Sequence, residues 1–270
     1  MTSAPAESDL PVLLDLTDGV ATITLNRPTA MNSLDIATKE LLRDTVERVG
    51  ADQDVRCVVL TGTGRGFCVG QDLKEHVQLL ESGSSEELFT TVPRHYNPIV
   101  TALATMPKPV VAAVNGVAAG AGASLAMAAD IRVLADTAGF NFAFAGVALS
   151  CDTGSSYLLP RLVGRARALE LLYLPSTLDA AECERIGLAN RVVAADELAD
   201  TVRELATRLA SGPTVALASM RASVAYAADH SFSEALEFEH TMMDRTGATE
   251  DHQAAVASFV AKQRPVFHGR

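Results

Sequence analysis

Basic residues are few in this sequence: 22 lysines and arginines stand against 33 aspartates and glutamates, and the formal net charge is -11. An excess of negative charge repels the phosphates of nucleic acids and of anionic lipid surfaces. We therefore expect neither a general nucleic-acid binder nor a protein of anionic membranes. An anionic ligand is still compatible with the sequence, but its charge would have to be offset by local basic side chains.

Cysteines are also scarce, and their spacing is uninformative for metals. The four cysteines form no CxxC pair, and none stands with histidine at zinc-ligand spacing; they are Cys57, Cys68, Cys151 and Cys183. This spacing argues against a redox pair or a zinc site. Reduced thiols with structural roles are typical of the cytoplasm, which is the compartment we expect.

Long apolar runs are missing as well. The longest candidate, residues 107–129, contains Asn115 and several glycines and is followed by Asp130. Such a segment predicts a buried strand, turn and helix and not a membrane span. The first ten residues, MTSAPAESDL, lack the basic and apolar segments of a signal peptide, so we expect none there.

The pattern along the chain predicts an α/β fold with parallel strands, because short apolar strands alternate with amphipathic helices. The pair Asp18-Gly19 separates the first two strands and predicts a hairpin. A helix should follow with Ser33 as its N-cap and with one apolar face, made of Leu34, Leu41, Leu42, Val46 and Val49. From residue 201 onward the pattern is helical, which predicts a core over 1–200 and a helical region over 201–270.

Two glycine-rich turns follow strands and precede helices, in GRGFCVGQDLKE (64–75) and VNGVAAGAGASLAMAAD (114–130). The second turn has three interpretations: a phosphate loop beginning at Gly120, a turn of small residues that serves packing, or part of an oxyanion hole. The phosphate loop is disfavoured because Leu125 stands where the third glycine of the motif is expected. Two such turns favour an oxyanion hole, because together they can aim two backbone N–H groups at one point.

These motifs resemble the enoyl-CoA hydratase/isomerase, or crotonase, superfamily. GFCVGQDL is followed by KPVVAAVNGVAAGAGASLAMAADIRV, and LNRPTAMNSLD, LLPRLVGRARALELL, LDAAECERIGLANRVV and FVAKQRPVF stand in the family's order. The resemblance covers nearly the whole chain and is closest to the epoxyphenylacetyl-CoA isomerases of the phenylacetate pathway. It implies a spiral of ββα units with a C-terminal helical trimerisation region, assembly into trimers or hexamers, and acyl-CoA substrates. It implies no metal, and no cofactor beyond the coenzyme A that enters with the substrate.

The resemblance also implies where the oxyanion donors lie. The backbone N–H of Gln71, just after Gly70, would be the first donor, and that of Ala121, between Gly120 and Gly122, would be the second. The family commonly has glycine at the position of Ala121, so alanine is a mild departure. Both donors belong to the backbone, so the main requirement on the side chains is that they leave the approach open.

The acid and base of the family's hydratases are absent. The resemblance assigns their two glutamates to positions that here hold Ser124 and Phe144, neither of which can act as a base at neutral pH. Asp152, in SCDTGSS, falls where isomerase branches carry a single catalytic carboxylate. One carboxylate can move a proton between two carbons, as a double-bond shift requires. The alternative is that Asp152 caps the helix that follows it.

Further residues are assigned to the binding of coenzyme A. Its phosphates require cations, for which Arg27, Lys74 and Lys262 are candidates. The resemblance implies that Phe259 and Lys262 reach the coenzyme A of a neighbouring subunit. It also implies that Ala30 and Met31 hold the adenine and the pantetheine.

In and after the first turn, Cys68, Asp72 and Leu73 lie beside the expected substrate. We interpret Cys68 as a packing thiol, because no histidine stands at a triad spacing, and Asp72 as the cap of the helix that opens at Leu73. His95 and Tyr96 either line the acyl pocket or lie on the surface of a helix.

The sequence predicts an acyl-CoA isomerase that uses Asp152 as a proton shuttle. Two alternatives stay open. One is a hydratase that activates water with Asp152 alone, and the other is a catalytically inactive acyl-CoA binding protein, suggested by Ser124 and Phe144.

Overall fold

The computed structural model describes residues 7–81 and 88–270, and two β-sheets organise them. The larger sheet contains β1 (Val12–Thr17), β2 (Val20–Leu25), β3 (Cys57–Gly62), β5 (Val110–Val114), β7 (Ile131–Ala135) and β10 (Arg191–Val193), in that order. Only β1 and β2 are antiparallel in it; the other pairs are parallel. The smaller sheet contains β4 (Gly66–Cys68), β6 (Val117–Ala119), β8 (Gly139–Asn141) and β9 (Leu178–Asp179).

Eleven helices in the described ranges complete the fold. They are α1 (Ile36–Ala51), α2 (Leu73–Glu81), α3 (Asn97–Thr105), α4 (Ala121–Ala128), α5 (Ser155–Val163), α6 (Arg165–Tyr173), α7 (Ala180–Arg185), α8 (Leu198–Ala210), α9 (Thr214–Ala227), α10 (Phe232–Gly247) and α11 (Glu250–Val260). None of these helices combines the length and the hydropathy needed to cross a membrane.

Consecutive strands alternate between the two sheets, and this alternation produces the spiral. β3 lies in the large sheet, β4 in the small sheet, and α2 follows; β5, β6 and α4 repeat the same unit. β7 and β8 begin a third turn of the spiral. The predicted spiral of ββα units is therefore confirmed.

The small residues of α4 allow it to lie in the middle of the molecule. All eight of its residues are buried, because glycine and alanine let neighbouring backbones approach closely. A Cβ atom at Gly122 would lie 2.1 Å from the carbonyl oxygen of Cys68, on β4. This contact brings the helix of the second glycine turn directly against the strand of the first.

The hairpin prediction is confirmed, whereas the predicted helix start is wrong. Asp18 and Gly19 both have positive φ, as the tight turn between β1 and β2 requires. Asp35, and not Ser33, caps α1, because its carboxylate accepts a hydrogen bond of 2.9 Å from the N–H of Thr38. The Ser33 hydroxyl instead donates to Asp72, 2.9 Å away on a distant part of the chain. Leu34 is buried ahead of the helix and not on its face.

The C-terminal part of the described chain contains helices and no strand after β10. α8 spans the predicted boundary at residue 200 and packs against β3, β5 and β7. The next three helices, α9, α10 and α11, expose large apolar residues. Between 62% and 84% of the surface of each is accessible to solvent for Met220, Val224, Phe232, Met243 and Phe259. An apolar face of this kind requires cover, which bears on assembly.

Candidate active site

In the first glycine turn, a short parallel bridge between Leu34 and Gln71 leaves the backbone N–H of Gln71 without an acceptor within residues 7–81 and 88–270. The N–H of Leu34 donates to the carbonyl oxygen of Gly70 (2.8 Å), and the N–H of Asp72 donates to the carbonyl oxygen of Leu34 (3.2 Å). Because successive N–H groups of an extended segment point to opposite sides, the N–H of Gln71 faces away from Leu34. No acceptor for it is present among the residues that the structure describes. Gly70 makes the turn with φ of +84°.

The second glycine turn leaves another N–H free at the start of a helix. Gly120 adopts φ of +50° and ψ of -124°, and Ala121 is the first residue of α4. The first N–H groups of a helix have no acceptor within it and lie at the positive end of its dipole. A Cβ atom at Gly120 would meet no described atom within 4 Å, so the space beside this turn is open.

The two turns touch each other. A Cβ atom at Gly70 would lie 2.9 Å from the carbonyl oxygen of Ala119 and 3.1 Å from the backbone nitrogen of Ala121. The two free N–H groups therefore belong to backbone segments in direct contact. Two preorganised donors on adjoining backbone segments can bind one oxygen that gains negative charge during a reaction.

Asp152 lies in the turn before α5 and is not a cap. Its carboxylate accepts a hydrogen bond of 2.9 Å from the hydroxyl of Thr153, while the N-cap of α5 is Gly154, without a side-chain cap. The N–H of Ser155 donates to the backbone carbonyl of Asp152 and not to its carboxylate. Burial raises the pKa of the Asp152 carboxyl, against a smaller opposite effect of the Thr153 hydrogen bond. The capping alternative is wrong.

Ser124 and Phe144, which the resemblance matches to the two hydratase glutamates, pack inside the fold. The hydroxyl oxygens of Ser124 and Ser155 are 2.6 Å apart, and both residues are fully buried. Ser124 also donates to the carbonyl oxygen of Gly120, at 3.2 Å. This pair joins the helix of Ala121 to the turn of Asp152. Phe144 is half-buried and packs against the hydrophobic core.

Tyr96 contacts the first glycine turn. Its hydroxyl donates a hydrogen bond of 2.7 Å to Oε1 of Gln71. Burial raises the pKa of Tyr96 well above its usual value, and the negative charges of Asp152 and Glu75 add to this effect. His95 is also buried, with Nδ1 at 3.1 Å from the hydroxyl of Thr91. The surface alternative for His95 and Tyr96 is therefore wrong.

Lys39 is a residue of this region that the sequence analysis missed. Its side chain is 1% exposed, and its ammonium donates to Gln71, Thr91 and Glu75. Burial lowers the pKa of Lys39, and the charge of Glu75 partly offsets that effect. The available signal was its place on α1, three residues before buried Leu42, on the face that packs inward.

Cys68 and Asp72 have structural roles in the first turn. Cys68 is fully buried, and burial raises the pKa of its thiol to about 12, so it is no nucleophile at neutral pH. Asp72 caps α2, because Oδ1 accepts from the N–H groups of Lys74 (3.0 Å) and Glu75 (3.4 Å). Burial alone would raise the pKa of Asp72, but hydrogen bonds from neighbours including Arg27 lower it below its usual value.

The residues assigned to coenzyme A lie in two groups. The first group surrounds the first glycine turn and contains Arg27, Ala30, Met31, Leu73 and Lys74. Within it, the guanidinium of Arg27 already contacts the carboxylates of Asp35 (3.0 Å) and Asp72 (2.9 Å). The N–H of Val69 donates to the carbonyl of Met31 at 3.2 Å, which joins the 28–31 turn to the glycine turn.

Phe259 and Lys262 form the second group, at the end of α11. Phe259 is 84% exposed, and Lys262 is exposed. Contact of either group with coenzyme A stays a prediction.

A cavity of about 470 Å³ lies beside the Asp152 turn, between the 144–151 segment and helices α5 and α6. Its walls are mostly apolar and include Phe144, Cys151, Leu172 and Tyr173. Gln71 and Ala121 do not line it, so the cavity does not open onto the two free N–H groups. Within the described ranges, no three or more His, Cys, Asp or Glu side chains cluster as a metal site would require.

Comparison with known proteins agrees with this geometry. The family model described as Enoyl-CoA hydratase/isomerase matches residues 15–270. A 1,2-epoxyphenylacetyl-CoA isomerase of Escherichia coli is 40% identical over 259 residues, covering 96% of this chain and 98% of that protein. An (E)-benzylidenesuccinyl-CoA hydratase of Thauera aromatica is 32% identical, covering 96% and 100%. A solved structure from Mycobacterium abscessus, provisionally an enoyl-CoA hydratase/isomerase, is 42% identical with a TM-score of 0.93, covering 96% and 100%.

Proposed function

The chain belongs to the enoyl-CoA hydratase/isomerase family, and from this premise we propose that it isomerises an acyl-CoA thioester through an enolate. The observation that carries the proposal is the half-buried carboxylate of Asp152, in a turn that the Ser124–Ser155 contact joins to the helix of Ala121. The resemblance matches Ser124 and Phe144 to the two hydratase glutamates, so we infer that a separate general acid and general base are absent there. The 40% identity to a 1,2-epoxyphenylacetyl-CoA isomerase supports that branch of the family.

In this mechanism the thioester oxygen accepts hydrogen bonds from the N–H groups of Gln71 and Ala121. The Asp152 carboxylate removes a proton from the carbon next to the thioester carbonyl. The electron pair of that C–H bond forms a C=C bond to the carbonyl carbon, and the π pair of the C=O bond moves onto the oxygen as an enolate. The protonated Asp152 then returns the proton to another carbon of the conjugated system, and the double bond shifts. No atom is gained or lost, and Asp152 ends as a carboxylate.

The environment of Asp152 suits this role. A general base works best when its pKa is near the working pH, and burial moves the pKa of Asp152 upward in that direction. The hydrogen bond from Thr153 gives the carboxylate a fixed partner without neutralising it. Each oxyanion donor is worth about 3 kcal/mol of barrier in comparable sites.

A second candidate is hydration with Asp152 as the only acid and base. The name of the Thauera aromatica relative favours it, since that protein is a hydratase at 32% identity. In hydration, water adds across a 2-enoyl thioester, and the product is heavier by one water molecule. The mass of the product therefore separates the two candidates.

We also propose that the helices after residue 210 mediate assembly into trimers or hexamers. The support is the exposed apolar side chains of α9–α11, which include Val224 and Phe232. In such an assembly Phe259 and Lys262 would reach the coenzyme A bound to a neighbouring subunit. Arg27, Lys74, Ala30 and Met31 would contact it within the same subunit.

The test of the proposed function is a panel of coenzyme A esters with saturated, 2-enoyl, 3-enoyl and aromatic acyl groups, followed by mass spectrometry and NMR. We expect products of unchanged mass with a shifted double bond from at least one unsaturated ester. Products heavier by one water would favour hydration. Tight binding without turnover of any ester would favour an inactive acyl-CoA binding protein.

A further inference from the structure

We propose that Tyr96 and Lys39 are positioning residues of the oxyanion hole, which hold the side chain of Gln71 so that its backbone N–H stays aimed at the thioester oxygen. The inference deepens the proposed function and rests on it. It concerns a set of buried polar contacts behind the first glycine turn, on elements that are far apart in sequence.

Gln71 is held at every polar atom of its side chain. Its Oε1 accepts from the hydroxyl of Tyr96 at 2.7 Å and from the ammonium of Lys39 at 3.2 Å. Its Nε2 lies 3.3 Å from Oε2 of Glu75 and 3.5 Å from the carbonyl oxygen of Asp72. A side chain with both lone pairs and both N–H groups occupied has no freedom to change its rotamer without losing hydrogen bonds.

Lys39 is committed to this contact. Its ammonium has three N–H groups, and the structure gives it three acceptors: Thr91 at 2.9 Å, Gln71 at 3.2 Å and Glu75 at 3.5 Å. A lysine that is 1% exposed costs stability unless it is paired and hydrogen-bonded. Lys39 lies on α1 and Glu75 on α2, so the Lys39 ammonium connects both helices to Gln71.

Tyr96 reaches Gln71 from the other side. It ends a π-helical turn, Val92–Tyr96, which inserts an extra residue per turn ahead of α3. Turns of this type are rare overall but frequent at functional sites. The ring also lies beside the Lys39 ammonium, 5.6 Å from it, so the two anchors support each other.

The Leu34 bridge orients the donor through one backbone hydrogen bond, because the carbonyl of Gly70 and the N–H of Gln71 belong to the same planar peptide unit, and the side-chain anchors of Gln71 add a second restraint. The Leu34 bridge holds the carbonyl of Gly70 and the N–H of Asp72, but it leaves the N–H of Gln71 without a partner in the described part of the chain. Gly70, with its freedom at positive φ, precedes that N–H directly. Anchoring the side chain of Gln71 limits the rotation that Gly70 would otherwise permit. Preorganised donors lower a barrier because they need no reorientation during the reaction.

The test uses a chromophoric ester, 4-(dimethylamino)cinnamoyl-CoA, whose absorption moves to longer wavelength when its carbonyl oxygen is polarised. Wild-type protein should produce a red shift on binding. Tyr96→Phe and Lys39→Met should reduce that shift and lower kcat about 10-fold, with little change in Kd of a saturated ester. Loss of packing alone would lower Tm and leave the spectrum of bound ester unchanged.

Two variants provide matched controls. Tyr157→Phe removes a hydroxyl that hydrogen-bonds at 2.7 Å to Asp229 on the surface, and Lys108→Met removes another buried ammonium, which donates to two backbone carbonyls. Both should leave the red shift and kcat at wild-type values, even where Tm falls. If Lys39→Met does not fold, Tyr96→Phe carries the test by itself.

A double substitution tests whether Tyr96 acts through Gln71. Gln71→Ala keeps the backbone N–H and removes the anchored side chain, so Tyr96→Phe should have no further effect on the red shift or kcat in that background. An undiminished effect there, or wild-type red shifts in both Tyr96→Phe and Lys39→Met, would overturn the inference. Absence of a red shift and of turnover in the wild-type protein would instead contradict the proposed function.

Discussion

Replacing Asp152 with asparagine removes the proposed base and nearly preserves the shape of the side chain. The amide oxygen of the new side chain can still accept the 2.9 Å hydrogen bond from Thr153, and no helix cap is lost. The remaining consequence is chemical, because an amide cannot take up the proton. We expect turnover to fall about 100-fold or more, the range for a lost general base.

The stability of this variant provides an independent check. The pKa of Asp152 is raised in the folded protein, so its protonated form is favoured by folding. That preference stabilises the protein at pH values below the usual carboxyl pKa of 3.8 and is lost as pH rises through the folded-state value. At neutral pH the half-buried charge of Asp152 therefore costs stability, and Asp152→Asn should have a Tm equal to or above that of wild type.

The assay is isomerisation of the best ester from the panel, measured with Tm by calorimetry and Kd of a saturated ester. Asp179→Asn is the matched control, because Asp179 caps α7 through a 2.8 Å hydrogen bond from Glu182 N–H and asparagine is an equally good cap. The control should keep full turnover. Wild-type turnover in Asp152→Asn would refute the role of Asp152 and leave the site without an identified base.

The remaining predictions concern the turns, the pH dependence, the thiols and the assembly. Gly70→Ala should abolish most turnover, because its Cβ would lie 2.9 Å from a backbone carbonyl. The control Gly187→Ala has a similar φ but a nearest contact of 3.4 Å, so it should lose only about 1 kcal/mol of stability and keep its turnover. Equal turnover in both variants would refute the close approach at Gly70. The acid limb of the kcat/KM profile should lie above the usual carboxyl pKa, since burial raises that of Asp152; a limb at or below 3.8 would contradict this. A maleimide should label one thiol per native chain, Cys151, because the other three are buried with pKa values of about 12; three or four labels would contradict their burial. Light scattering at micromolar concentration should give a trimer or hexamer, and a monomer would rule that assembly out.

The sequence predicted those features that depend on local pattern. The Asp18-Gly19 hairpin follows from residues that accept positive φ, and the alternation of strands and helices indicated the α/β class. The two glycine turns were predicted as partners because each combines a strand end with a helix start. Their contact, through Gly70 and Ala121, was expected from the resemblance to the family.

Contacts between distant segments could not be predicted in the same way. Lys39 looked like one of many charged residues on a helix surface, and only the fold shows that Gln71, Thr91 and Glu75 surround its ammonium. Ser33 was assigned to the wrong role for a related reason. Its hydroxyl has a stronger partner in the Asp72 carboxylate, 39 residues away, than in the nearby helix start.

The fate of the transferred proton tests the central claim most directly. A 3-enoyl-CoA ester is incubated with enzyme in D₂O, and the product is followed by NMR and mass spectrometry. Because Asp152 returns the proton that it removes, we predict a 2-enoyl ester without added water in which any deuterium is confined to the carbons that lose or gain a proton, and exchange that falls about 100-fold or more with Asp152→Asn. A 3-hydroxyacyl product, or equal exchange with Asp152→Asn, would contradict proton transfer by this carboxylate.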